Sequence, residues 1–273
     1  MRRLLVTAVA AAIVVLFATR ALEAHDLFLR TGSFFVGENA TVVLQALNGT
    51  FSKSENSITR DRLMDLSVVG PSGRSHIDTT MWSATGDTSR LTVRTGSAGT
   101  YVVGVSLGKR EIALKAAEFN QYLTEDGIPD VLAARKRSGA LGKDARERYS
   151  KHVKAILQVG ATRTNSFAQV LGYPAELVPV GNPYNPRAGG WLRVLALVDG
   201  KPVANQLVIT GGRPRRGGRF AERRLRTDAS GIVRVRISEP GFWYVKFIHM
   251  ERVTSDPSID YESKWATLTF QVR

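Results

Sequence analysis

The chain contains four histidines and no cysteine, so a site for a transition metal must be built from nitrogen and oxygen donors. His25 has the most distinctive setting of the four. It follows Arg2 and Arg3, an apolar run of about fifteen residues, and the stretch Ala21-Leu22-Glu23-Ala24, which is the order of a secretory leader. The run is shorter than the roughly 20 residues that cross a bilayer as a helix. Cleavage after Ala24 makes His25 the first residue of the exported chain, where its free amine and imidazole Nδ1 form a bidentate chelate that no internal histidine can make. Ala21 offers a competing cleavage site, because Leu22 is larger than the A-x-A pattern prefers. An uncleaved leader is the third alternative.

The other histidines differ in context. Alternation along residues 242–250 puts Trp243, Val245, Phe247 and His249 on one strand face, which leaves His249 at the end of an apolar row. It is either a structural histidine at a core edge or a ligand held rigid beside residue 25, since domain termini often lie close together. Asp26, Asp260 and Glu262 are the nearest candidates for oxygen donors. His76 falls in a Ser/Gly/Arg-rich turn and is expected to be solvated. His152, between Lys151 and Lys154, is expected on the surface of a helix. The expected metal set is therefore His25, His249, Asp26 and Glu262. Its three nitrogens suit tetragonal Cu²⁺ or Ni²⁺, with copper the stronger binder on raw affinity.

Catalysis finds no support in the sequence, and a non-enzymatic protein is expected. There is no Gly-x-Ser-x-Gly elbow, no His-Glu-x-x-His and no phosphate-cradling loop. The formal charge of +14 would suit an anionic partner. The densest basic stretch runs from Arg213 to Arg226 with Phe220 as its one aromatic, so it lacks the interleaved rings of a nucleic-acid platform. A solvated loop is expected there, with contact to an anionic membrane surface as the functional option and no nucleic acid as partner.

These residues need a frame to hold them. Removing residues 1–24 leaves about 250, enough for a substantial core without disulfides. Residues 40–47, 90–95 and 100–107 are rich in β-branched and aliphatic side chains and are separated by turn signals, which predicts a β-sandwich over 25–114. Over 115–159 the period changes. Phe119, Tyr122 and Leu123 lie at helical spacing, as do Tyr149, Val153 and Ile156, and Asp144 with Glu147 resembles a capping pair for a second helix. Strands resume over 160–273, at 191–198, 206–210, 232–238, 242–250 and 265–272, with 178–186 as an extended linker or rim. The fold class expected is mainly β, two β-sandwich modules of immunoglobulin-like or transthyretin-like type with a helical insertion between them.

The ordered motifs Ala24-His-Asp-Leu-Phe-Leu29, Glu147-Arg-Tyr-Ser150, Leu177-Val-Pro179 with Asn182-Pro-Tyr184, Asp199-Gly-Lys-Pro202, Trp243 with His249-Met250, and Glu262-Ser-Lys-Trp-Ala-Thr-Leu-Thr-Phe270 resemble a bacterial exported family of unknown function described as a nickel-uptake (NikM-like) periplasmic component. The resemblance covers nearly the whole exported chain. It implies a periplasmic, β-rich protein involved in divalent metal uptake, and it carries His25 and His249 as matching positions. Lys264 departs from the aromatic common at its place in that motif.

Residues and resemblance together lead to one expectation. The chain is an exported protein that binds nickel, cobalt or copper and passes the ion to an envelope transporter. The alternative is a metal-free binding or scaffolding sandwich that recognises a protein or glycan through the 213–226 loop and Tyr184.

Overall fold

The computed structural model describes residues 26–186 and 188–273. Eight strands come first: β1 (Asp26–Arg30), β2 (Phe35–Val36), β3 (Thr41–Gly49), β4 (Leu63–Gly70), β5 (Gly73–His76), β6 (Trp82–Thr85), β7 (Thr88–Arg94) and β8 (Gly99–Leu114). Two helices follow, α1 (Ala116–Glu125) and α2 (Pro129–Arg137). The rest is again β: β9 (Ala145–Val159), β10 (Ala175–Pro179), β11 (Trp191–Val198), β12 (Lys201–Pro202), β13 (Leu207–Pro214), β14 (Phe220–Arg226), β15 (Ile232–Arg236), β16 (Gly241–Arg252) and β17 (Tyr261–Val272). The fold is mainly β with a helical insertion, as the strand and turn pattern implies.

The strands form three sheets. A small sheet, ordered β1-β3-β7-β6, comes from the N-terminal part, and a second small sheet joins β10, β11 and β12, with β15 also paired to β11. Between them lies a nine-stranded sheet, β14-β13-β16-β17-β9-β8-β4-β5, with β2 added against β9. Its strands pair antiparallel except where β9 meets β17 and β2. One core lies between the first small sheet and this central sheet, with Leu29, Leu44, Trp82 and Leu91 facing Val103, Val153, Ala155 and Leu157. The other lies on the far face, where Leu177, Val194 and Val235 meet Ile156, Val245, Leu268 and Phe270. The two sandwiches thus share their middle layer.

That shared layer corrects the expectation of a helix carrying Tyr149, Val153 and Ile156. Residues 145–159 form β9, which pairs with β8 over most of its length and with β17 on its other side. A strand buried on both faces carries apolar residues at odd and even positions. Val153 points into one core and Ile156 into the other, so their three-residue spacing resembled one helical stripe. Asp144 serves a different end: its carboxylate accepts from the Ala116 amide at 3.0 Å and pairs with Lys115 Nζ at 2.9 Å, at the start of α1. The 178–186 segment is also built in rather than peripheral. Tyr184 is buried, and its hydroxyl donates to the Ile156 carbonyl. It cannot serve as an exposed recognition residue.

The helices close one end of the central sheet. Phe119, Tyr122 and Leu123 on α1 pack with Ile248, Met250, Tyr261 and Trp265. Tyr122 stacks on Trp265 with ring centroids 6.0 Å apart and planes within 7°.

Candidate functional site

His25 lies outside the described residues. Asp26, the next residue, opens β1, and its carboxylate pairs with Lys246 Nζ in the middle of β16. Alternation along β16 separates Asp26 from His249. Tyr244, Lys246 and Ile248 face β1 and the helices, whereas Trp243, Val245 and Phe247 enter the opposite core. His249 belongs with the second set. Its Nδ1 is 2.9 Å from Gln206 Oε1 and its Nε2 is 3.2 Å from Glu251 Oε1. Glu262 is on that same side, because Glu251 and His249 stand opposite Glu262 and Lys264 in the ladder. The Glu262 carboxylate is 2.7 Å from Lys109 Nζ. The structure therefore brings His249 and Glu262 to one face of the sheet and Asp26 to the other. Among the described residues no group of three or more His, Asp or Glu side chains is arranged to hold a metal ion.

The two remaining histidines divide. His76 is exposed on β5 with its Nδ1 2.7 Å from Asp65 Oδ1, in keeping with a solvated position. His152 is buried in β9, not on a helix surface. Ser106 Oγ is 2.9 Å from its Nδ1 and Ser150 Oγ 3.0 Å from its Nε2, and burial pushes the ring down to about 3, so it is neutral.

Asp26 lines a pocket of about 340 Å³. The turn after β3, helix α1 and the β13–β14 hairpin form its walls. Phe28, Phe51 and Tyr244 make its apolar side, with ring centroids 4.8–5.2 Å apart. Asp26, Glu118, Glu125, Asp126 and Glu222 supply five carboxylates, against Arg219 as the one cation in the lining. The Tyr244 hydroxyl donates to Glu222. In a chain of formal charge +14, this pocket is a local reversal of sign.

Beneath it lies a buried polar layer. Asp126 Oδ1 is 3.8 Å from Lys246 Nζ, and burial, reinforced by the Asp26 charge, raises Asp126 to about 7. Glu147 on β9 is likewise raised to about 7 by burial, while accepting from Ser263 and, at 3.1 Å, from Tyr122. Lys151 is lowered to about 8 by burial. Its Nζ donates to Asn48 Oδ1 at 3.2 Å and sits 5.0 Å from the Trp265 ring centroid. Three groups that would ordinarily titrate far from neutrality are thus drawn towards it, which is a common property of binding and catalytic centres.

In the sequence Asp26 stands out as a candidate, whereas Asp126, Glu147, Lys151 and Lys246 do not. One signal was present. Lys246 interrupts the row Phe242, Tyr244, Ile248, Met250, so the second face of that strand could not be a simple apolar surface. The partners of that lysine come from β1 and from the residue just after α1, and no spacing in the chain announces them.

The chain belongs to the family described as Domain of unknown function (DUF4198), whose pattern it matches over residues 22–251. No curated protein matches it.

Proposed function

We propose that this member of the DUF4198 family is an exported, periplasmic protein that binds a divalent transition-metal ion, nickel, cobalt or copper, as cargo for an envelope transporter. The observation that carries this reading is the position of Asp26 in a pocket lined by five carboxylates. Negative potential in a cleft concentrates cations at its mouth. Residue 25 is joined to Asp26 by one peptide bond, which keeps the two Cα atoms about 3.8 Å apart. After leader cleavage at Ala24, the His25 amine and imidazole supply two nitrogen donors one peptide bond from Asp26, and Asp26 or a neighbouring carboxylate can supply oxygen. Nitrogen donors favour copper, nickel and cobalt over calcium or magnesium.

The described carboxylates alone do not make a transition-metal site, since no three of them are grouped to hold an ion, and Asp26 and Glu222 also pair with Lys246 and Tyr244. The proposal therefore rests on the processed terminus. His249, beyond the sheet, is assigned to the Gln206 and Glu251 contacts and not to the ion. Calorimetric titration of the processed protein with Ni²⁺, Co²⁺ and Cu²⁺ tests this assignment. Binding should weaken on His25→Ala and persist on His249→Ala.

A further inference from the structure

The outer face of the sheet formed by β10, β11 and β15 carries an unusual combination. Trp191 is 50% exposed, and the Arg234 guanidinium lies 5.0 Å from its ring centroid. In the β11–β15 register Trp191 stands opposite Arg236, and Arg193 stands opposite Arg234. Val180, 43% exposed, joins the same row, because its amide donates to the Arg193 carbonyl at 2.9 Å. All three arginines are exposed, and among the described residues none of them has an ion-pair partner.

Beyond β15 the chain runs to the tip of the β13–β14 hairpin. Pro214, Arg215 and Arg216 line one shallow cleft with Glu239 and Pro240, and Glu239 follows Arg236 by three residues. Pro214 pairs with Gly241, and Gly241 with Val272, so the exposed Arg273 emerges at the same end. The basic 213–226 stretch therefore divides. Arg224 and Arg226 are committed to α1 and α2, through the Glu125 carbonyl at 3.1 Å and the Asp130 carboxylate at 2.8 Å. Arg215 and Arg216 stay at the cleft they share with Glu239 and Pro240, three and four residues beyond Arg236.

We infer that this end of the molecule docks on an anionic phospholipid surface, with Trp191 and Val180 entering the headgroup layer and Arg193, Arg234, Arg236, Arg215 and Arg216 meeting its phosphates. A ring flanked by guanidinium groups has an apolar body and a charged rim, the combination that a headgroup layer solvates on both counts. Each arginine near such a surface adds to the attraction, and screening by salt weakens it. A nucleic acid would call for a row of rings on which successive bases stack, and Trp191 stands alone among these arginines.

The test is partitioning of the exported full-length chain onto vesicles containing phosphatidylglycerol, compared with phosphatidylcholine alone. Binding is expected to the anionic vesicles only. It should fall about 100-fold in the Arg193→Gln, Arg234→Gln, Arg236→Gln triple variant. Trp82, Trp243 and Trp265 are buried, so the blue shift of tryptophan emission on binding should come from Trp191 and vanish in Trp191→Phe. A control that neutralises the exposed Lys136, Arg137 and Lys143 at the helical end removes the same charge and should bind as the native chain does. No binding to anionic vesicles would overturn the inference. So would equal binding to the neutral ones, or an equal loss in the control. Capture by polyglutamate or single-stranded DNA without vesicle binding would also overturn it, in favour of a soluble polyanion.

Discussion

The buried carboxyl of Glu147 makes the stability of this protein depend on pH in a direction opposite to that of an ordinary salt-bridged acid. Burial lifts it from its usual 4.5 to about 7, so the folded state holds the proton more tightly than the unfolded chain does. Its stabilising contribution is complete below 4.5 and is lost as pH rises through 7. The full span is worth about 3 kcal/mol, taken as an upper figure. Glu147→Gln keeps a polar group against Tyr122 and Ser263 but no longer titrates. Denaturant midpoints measured from pH 4.5 to 7 should therefore decline less steeply in that variant. Asp126 shifts in the same direction and leaves a residual slope. None of this was legible in the sequence. Glu147 was read as half of a helix cap, because a buried acid and an exposed one look alike until the opposing strands are known. Asp26 is recognisable as a candidate from its place next to His25 in the sequence, and the pocket around it is not.

At the scale of elements, the first helix and most strands follow from periodicity and turn residues. Trp191–Val198 matches its expected bounds, and the strand expected over 242–250 is extended by a few residues at its ends. The failure at β9 has a specific cause: two apolar faces overlay two period-2 patterns, and their sum contains helical spacings. Lys151, His152 and Lys154 add to the helical appearance, since three polar residues within four positions suggest a wet surface. In fact all three are buried, and Lys154 is paired with Glu176. The α1 helix owes its place to its apolar side. Phe119 is fully buried, 5.1 Å from the Tyr261 ring, with the Arg135 guanidinium 4.8 Å from its own centroid. Phe119→Ala should cost about 3–5 kcal/mol in chemical denaturation. Because α1 walls the acidic pocket, the same variant should also weaken cation binding there. A loss of stability with cation affinity intact would separate the helix from the site.

As a whole molecule, the chain is three layers of β-structure with a common middle sheet. Strands from before and after the helices are joined in that sheet, where β8 pairs with β9 from Gly99↔Val159 to Leu114↔Ala145 and β2 adds against β9. Neither outer sheet can shed its partner without exposing a core face. Unfolding of the chain should accordingly be a single transition, with tryptophan fluorescence and far-ultraviolet dichroism giving coincident curves. Two separated transitions would mean that the halves fold independently. Charge is distributed unevenly over this frame: an acidic pocket opens beside β1, and among the described residues Arg193, Arg234 and Arg236 on β11 and β15 have no ion-pair partner. A cation site and an anionic docking surface can thus coexist in one basic protein.

The most direct test of the cation-binding role is calorimetry on the processed protein, its N-terminal residue first established by intact mass. We expect the chain beginning at His25 to bind Ni²⁺, Co²⁺ or Cu²⁺. His25→Ala, or one extra residue ahead of His25, should lower that affinity by at least about tenfold, equivalent to roughly 1.4 kcal/mol. His249→Ala should leave it unchanged. Equal affinity in the processed, extended and His25→Ala proteins would contradict the proposal, because the chelating terminus would then contribute nothing.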